Sequence, residues 1–337
     1  MRPFEFTRAD SAKAAILALG TGKDAESAQF IAGGTTLLDL MKLDVMRPQR
    51  VVDINALHDN GFGDIDLGPR GLRLGAMVRM AEAADHDEIK TNFPMVSQAL
   101  QLAASAQLRN MASLGGNVLQ RTRCTYFRDT SYANCNKRVP GSGCAAMEGI
   151  NRSHAVLGTS DQCIASYPGD FAQALMALDA QVEVSGPRAT HEIPFANFHR
   201  LPGTTPHIET ALKPGEMITA FHIPASPMAK RSLYLKVRDR ESYEFALASA
   251  AVALDLDGNN VKQARIALGG VATVPWRAKE AEQHLRGKTL DEQTAMAAAT
   301  LAFASATPRE HNEFKIELGK RTLTRALLQA AALEIKP

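Results

Sequence analysis

Two Gly-Gly pairs, each set between a strand-like run and a helix-like run, constrain this chain more than any other feature. "AQFIAGG" reads as a buried strand running into Gly33 and Gly34. "TTLLDLMKLD" reads as the helix that follows, and "RVVDI" as another short strand. "ASLGGNVLQ" repeats the glycine turn at Gly115 and Gly116. Glycines at such turns let backbone N–H groups approach a phosphate, and the helix N-terminus adds partial positive charge. Thr35 and Thr36 are placed to cap the first helix and to offer hydroxyls; Ser113 and Asn117 flank the second pair. Taken singly, a Gly-Gly pair is accounted for by a tight turn. Neither GxGxxG nor a P-loop is present. Two such loops in adjacent small units would clamp one pyrophosphate between them.

The pattern divides the chain into an α+β assembly of three parts. Residues 1–55 form a small α/β unit, opening with the helix "DSAKAAILALG", capped by Asp10 or Ser11 and closed by Gly20. Residues 56–224 form a second unit, with a strand at "GLRLGAM", helical periodicity through "MVSQALQLAASAQLRNM", a helix at "SYPGDFAQALMALDA" with Asp170 in its first turn, and strands at "QVEVSG" and "LKPGEMITAFHIP". After the linker "SPMAKRS", residues 230–335 read as three antiparallel strands, the last two joined at "DGNN". Helices follow at 276–286, 291–305 and 313–333.

A segment without periodicity, about 118–165, interrupts the second unit and holds Cys124, Cys135, Cys144 and Cys163. These are all four cysteines of 337 residues, so the chain is not a disulfide scaffold. Their separations of 11, 9 and 19 positions match neither zinc ribbons nor the bacterial ferredoxin run. Spacing leaves open a [4Fe–4S] cluster or zinc, with His154 as a substitute ligand. Ordinary burial of free cysteines does not explain why all four share one loop. Arg121, Arg123, Arg128, Lys137 and Arg138 would offset a cluster's negative charge, or form a solvated basic loop or a patch facing an acidic partner. A formal net charge of +2 gives no case for nucleic acid, and no apolar run is long enough for a membrane span. "MRPFEFTRAD" lacks a signal-peptide core. No HExxH, nucleophile elbow or paired-carboxylate motif is present, so no catalytic residue is expected.

"FIAGGTTLLDLMK", "ASLGGN", "YPGDFAQALMALDA" and "LKPGEMITAFHIP", in this order, resemble the FAD-binding subunit of the molybdenum hydroxylases, the xanthine dehydrogenase and aldehyde oxidoreductase family. With its cysteine insert the chain is most similar to the flavin subunit of bacterial periplasmic aldehyde oxidoreductases. The resemblance spans nearly the whole chain. It implies a two-part FAD-binding domain of the PCMH type followed by a C-terminal domain like that of the CO dehydrogenase flavoprotein. By motif, Gln29, Phe30, Ile31, Ala32, Gly33, Gly34, Thr35, Thr36 and Leu37 would hold the FAD pyrophosphate. Ser113, Leu114, Gly115, Gly116 and Asn117 would hold its other side, with Ala103 and Arg109 in the helix leading in. Asp170 would bind the adenosine part, and Ile218 and Lys236 would sit near the isoalloxazine. Gln29 stands where relatives can have lysine, which aims less charge at the phosphates. Tyr243 is a candidate to stack on the flavin or to sit in a core.

The resemblance further implies that the four cysteines carry a [4Fe–4S] cluster. The partners would be a molybdenum-cofactor large subunit and a [2Fe–2S] small subunit. Electrons would pass from [2Fe–2S] centres to FAD and on to an external acceptor. The compartment would be the periplasm, reached by co-export with a signal-bearing partner; the chain alone is equally compatible with the cytoplasm. Two other readings stand beside this one: an autonomous flavoenzyme oxidising a small molecule, and a zinc-loop scaffold without redox role.

Overall fold

The structure is a computed structural model that describes residues 1–20 and 23–335. Three sheets organise it. The first joins β1 (Glu5–Arg8), β2 (Ala28–Ile31) and β3 (Arg50–Asp53) in parallel, in the order β1-β3-β2. β1 is exposed along its whole length, so it carries no hydrophobic alternation, and sequence patterning misses it. The expected helix before β2 runs Ala12–Leu19. Ser11, not Asp10, caps it by accepting the Ala14 N–H, and Gly20 ends it at φ +83°.

The second sheet contains β4 (Ile65–Gly68), β5 (Gly71–Gly75), β6 (Gln181–Ser185), β7 (Thr190–Pro194) and β8 (Met217–Pro224), ordered β4-β5-β8-β6-β7 and antiparallel throughout. Central β8 is buried almost end to end, whereas edge strand β7 is mostly exposed and edge strand β4 has only four residues, with Ile65 and Leu67 partly buried. The helical run expected over "MVSQALQLAASAQLRNM" is two helices, Pro94–Gln101 and Ala106–Met111. The chain breaks at Ala104, whose φ is +50°, and Ser105 recaps it by accepting the Leu108 N–H. The second glycine pair also departs from expectation. Gly115 and Gly116 lie inside a short helix, Leu114–Val118, rather than in a free turn, because Ser113 caps them by accepting the Gly116 N–H.

The third sheet is β9 (Ser232–Val237), β10 (Ala248–Asp257), β11 (Asn260–Gly269) and β12 (Trp276–Arg277), ordered β12-β11-β10-β9. The hairpin falls at the expected "DGNN", with Gly258 at φ +57°. β12 adds a fourth strand from residues expected to open a helix; that helix starts at Lys279. Two more helices, Glu292–Ala302 and Phe314–Ala331, complete the domain.

β10 explains why "ASAAVALDL" is apolar without interruption. Ala251 and Ala253 belong to the core of the second unit, while Ala248, Ala250, Val252 and Leu254 belong to the C-terminal core. Successive side chains of a strand point to opposite faces, so a sheet wedged between two cores must be apolar on both. Its alanines let the flanking layers approach closely. The C-terminal domain is therefore fused to the second unit, and Lys236 at the end of β9 is delivered into that seam.

Candidate cofactor groove and cysteine site

The two glycine loops meet. A groove of about 550 Å³ lies between the first and second units, lined by Gln29–Leu37 on one side and by Ser113, Gly115, Gly116 and Ile218 on the other. Leu114 and Asn117 of the second loop do not line it. Leu114 is buried, and Asn117 turns its amide toward the Met80 sulfur at 3.3 Å.

The loops contribute different things. Among the described residues, the N–H groups of Gly33, Gly34, Thr35 and Thr36 find no acceptor in the protein. They are the free donors of a strand-to-helix turn, directed into the groove. Thr36 occupies the cap position of the helix Leu37–Lys42 without a side-chain cap bond, which leaves its hydroxyl uncommitted. In the second loop the donors are spent: Leu114, Gly115 and Gly116 bond to Val78 O, Ala76 O and Ser113 Oγ. That loop supplies space. A Cβ on Gly115 would sit 3.2 Å from Ala76, and one on Gly116 3.0 Å from Ser113 Oγ. Gly33 is more tightly confined, since a Cβ there would lie 1.9 Å from the carbonyl oxygen of Met111. A cradle of free amides with no side chains in the way fits a pyrophosphate.

A network that sequence patterning does not reveal holds the two loops in register. Asn55 Nδ2 donates to Ala32 O (3.0 Å), Arg79 Nη2 donates to Asn55 Oδ1 (2.9 Å), and Arg79 Nη1 donates to Met111 O (2.8 Å). These residues lie far apart in the chain and form no motif. At the groove's other wall Arg121 pairs with Glu209 at 2.7 Å.

The remaining expected residues form a second group away from the glycine loops. Asp170 stands at the cap position of the helix Phe171–Ala177 rather than in its first turn. Its carboxylate accepts from Lys236 Nζ (2.8 Å) and from the Tyr234 hydroxyl (2.6 Å). The pair is deeply buried, at 1% and 4% side-chain exposure. Burial pushes the Asp170 carboxyl up, against the pull of Lys236. Lys236 Nζ also donates to Leu102 O (3.0 Å), a carbonyl freed by the helix break at Ala104. Arg109 donates to Ala103 O at 2.8 Å. Ala103, Arg109, Asp170 and Lys236 are thus assembled around that break, and none of them lines the groove of the glycine loops. Tyr243 is exposed, at φ +52°, with Arg240 over its ring, and is not a core aromatic.

The four cysteines share one apolar cluster. Cys124 opens the short helix Thr125–Arg128, Cys135 and Cys144 face each other across an antiparallel bridge, and Cys163 closes a bridge with Ser160. All are free thiols, packed in one apolar pocket with Leu40, Phe127, Ala146, Ile164 and Ala165. Leu40 comes from the helix that begins at the first glycine loop, so the pocket is built directly on that helix. Asp39 of the same helix accepts from Arg128 (2.8 Å) and Arg123 (3.2 Å) of the insert. Backbone amides face the sulfurs: those of Phe127 and Tyr126 face Cys124, those of Ala146, Ile164 and Met147 face Cys144, and that of Ala165 faces Cys163. Burial pushes the Cys124 thiol up to about 12 and the Cys163 thiol up to about 11, with Lys137 pulling the latter down. Four thiolates need compensating positive charge in such a pocket.

The basic residues do not form the free shell expected of them. Arg121 and Lys137 pair with Glu209, Arg123 and Arg128 pair with Asp39, and Arg138 donates to the carbonyls of Tyr126 and Phe127. Among the described residues, no group of three or more His, Cys, Asp or Glu side chains is placed to hold a metal ion. No helix among them is long and apolar enough to cross a membrane.

Comparison with known proteins agrees with this geometry. Residues 2–226 match the family described as the FAD binding domain in molybdopterin dehydrogenase, and residues 233–330 match the CO dehydrogenase flavoprotein C-terminal domain. The chain is 46% identical to the aldehyde oxidoreductase FAD-binding subunit PaoB of Escherichia coli K12, covering 98% of this chain and 99% of that one. It is 27% identical to the carbon monoxide dehydrogenase medium chain of Afipia carboxidovorans, over 98% and 97% of the two chains. The solved CO dehydrogenase of Oligotropha carboxidovorans superposes with a TM-score of 0.75 at 25% identity, over 98% of both chains. With both of its parts matched in order and a relative at 46% identity over its whole length, this chain belongs to the FAD-binding flavoprotein subunits of the molybdenum hydroxylases, an oxidoreductase family.

Proposed function

We propose that this chain is the electron-transfer subunit of a molybdenum-dependent aldehyde-oxidising complex, holding FAD in the groove and a [4Fe–4S] cluster on Cys124, Cys135, Cys144 and Cys163. One observation carries the reading: the amide-rich loop of the groove and the apolar floor of the cysteine pocket are two ends of one short helix, Leu37–Lys42. The similarity to an aldehyde oxidoreductase subunit supports the substrate class.

FAD would supply a carrier that takes two electrons and exchanges them singly with iron–sulfur centres. The protein's part is binding and electrostatics. The free N–H groups of Gly33–Thr36 and the Thr36 hydroxyl hold the pyrophosphate, and Gly115 and Gly116 leave room for it. Lys236 is buried behind the groove, where its ammonium donates to Asp170 and Leu102 O and ties the C-terminal domain to the helix break at Ala104. The buried Asp170 carboxylate holds that ammonium in place. All four cysteines are free and share one apolar cluster, and their spacing alone is open to zinc as well as to a cubane. A cubane spreads its four thiolates over separate irons and draws on amide donors to sulfur, of which this pocket has several.

Substrate chemistry belongs to a molybdenum-cofactor partner, with a [2Fe–2S] partner between it and this chain. An external acceptor takes the electrons from the flavin. The compartment follows the partners, and we read it as the periplasm, entered by co-export. The test is anaerobic mixing with aldehyde, following the flavin absorbance of the co-purified complex and of the isolated chain. Bleaching only in the complex is expected. Bleaching of the isolated chain at the same rate would favour an autonomous flavoenzyme.

A further inference from the structure

A small polar cavity lies behind the groove wall, where three parts of the chain meet. It measures about 30 Å³, room for about two waters. Thr122 and Lys137 of the insert, His199, Glu209 and Thr210 of the second unit and Thr273 of the C-terminal domain line it. Glu209 and Thr210 also line the groove, so the two spaces share a wall. His199 is the group here that nothing else accounts for. Its ring sits among Tyr167, Phe195 and Phe198, with ring centres 4.6, 5.5 and 5.2 Å away. Nε2 lies 3.2 Å from Val118 O, which also accepts from the Tyr167 hydroxyl at 3.0 Å. A carbonyl has no hydrogen to give, so Nε2 carries the proton. Burial pushes the ring down to about 4, so it is neutral near pH 7 and Nδ1 keeps its lone pair. Nδ1 is buried and finds no donor among the described residues.

We infer that this cavity is an internal water site, in which a water donates to His199 Nδ1 and fastens the groove wall to the insert. A buried acceptor left without a donor is costly, and a polar space beside it is where an ordered water belongs. The lining selects water over an ion. Arg121 and Lys137 both pair with Glu209, at 2.7 and 3.3 Å, which disfavours a cation. The lone pair of Nδ1 repels an anion, and about 30 Å³ is too small for one the size of phosphate. The consequence reaches the groove through the backbone. His199 and Thr210 pair across an antiparallel bridge, which closes the segment 199–210 at its neck. A ring fixed there fixes Glu209 and Thr210 in the wall that the cavity and groove share. The inference needs the groove and requires no metal at the cysteines.

The test is a high-resolution crystal structure of the wild-type protein as purified, with His199→Phe and His199→Gln alongside. An ordered water about 3 Å from Nδ1 that also reaches a second polar group of the wall is expected. A dry cavity, or a ring turned so that a protein donor meets its second nitrogen, would overturn the inference. His199→Phe keeps the aromatic contacts but can neither accept from water nor donate to Val118 O. It should lose that water, weaken FAD about two- to tenfold by fluorescence titration, and open the segment 200–206 to limited proteolysis. His199→Gln keeps an amide N–H and a carbonyl and should recover most of both effects. Unchanged FAD affinity and unchanged cleavage in His199→Phe would refute the fastening. Should His199→Phe not fold, the wild-type density and His199→Gln carry the test. A wild type that binds no flavin would fail the proposed function instead, and the density and the proteolysis would still decide the water site.

Discussion

Replacing Gly33 with alanine should abolish tight FAD binding while leaving most of the fold intact. The Cβ added there would lie 1.9 Å from Met111 O and 2.6 Å from Met111 C, both backbone atoms at the end of the helix Ala106–Met111. Cβ atoms essentially never approach closer than 3.0 Å, so the two loops must part by roughly 1 Å. Met111 O cannot retreat freely, because Arg79 Nη1 holds it at 2.8 Å and Arg79 is tied through Asn55 to Ala32 of the same glycine loop. The strain therefore falls on the N–H groups of Gly33–Thr36. Overpacking of this kind costs about 1–3 kcal/mol. Misdirecting even one charge-assisted bond to the pyrophosphate removes about 1.5–3 kcal/mol of binding, or at least about tenfold in Kd. The assay is flavin-to-protein ratio after gel filtration, with Kd by flavin fluorescence on the deflavinated protein and a thermal melt alongside. A Gly33→Ala protein that keeps full flavin at wild-type Kd would refute the contact-based reasoning and the place of this loop in the site.

Other expectations follow from the same geometry. Asn55→Leu, which lies outside the groove wall, should weaken FAD several-fold by releasing Ala32 O and Arg79; flavin titration at unchanged secondary structure by circular dichroism checks this. Lys236→Met leaves the Asp170 carboxylate buried without its cation and should cost about 3–5 kcal/mol in denaturant unfolding, with Lys236→Met/Asp170→Leu recovering much of that. Cys135→Ser should lower iron to near zero and keep flavin; full iron in that variant would remove Cys135 from the ligand set. The Arg128 hydrogen bond, with Arg123, holds the Asp39 carboxyl below its ordinary range. The stability it gives to insert docking is present above the unfolded carboxylate pKa and is lost as pH falls through the lower folded value. Acid-induced release of the insert, followed by limited proteolysis, should therefore move to milder acidity in Arg128→Ala.

Local patterning read well where one residue's neighbours in sequence decide its state. The strands β2 and β3, the first glycine loop, the caps at Ser11 and Gly20 and the Gly258 hairpin are of that kind. So was the clustering of the cysteines, because four rare residues in one loop outlast any uncertainty about the loop's shape. What escaped was decided across the chain. β1 and β7 are exposed strands held by a neighbouring strand with little apolar alternation to read, and β4 offers only the two-step alternation of Ile65 and Leu67. Helical periodicity ran unbroken through Ala104, yet the chain turns there and offers Leu102 O to Lys236 and Arg238. The basic residues of the insert looked like a charged shell, but their carboxylate partners, Asp39 and Glu209, lie more than eighty and more than seventy positions away. Asn55 and Arg79 had no signal at all, since each acts on backbone carbonyls or amide side chains remote in sequence.

The proposed function puts a flavin and an iron–sulfur cluster on either side of the same short helix, Leu37–Lys42. The most direct test is a UV–visible spectrum of anaerobically purified protein, with flavin, iron, sulfide and zinc assayed on the same sample. One flavin and about four irons per chain, as a cubane on four thiolates requires, is the predicted result. Zinc in place of iron would overturn the cluster, and a colourless protein without flavin would contradict the claim itself.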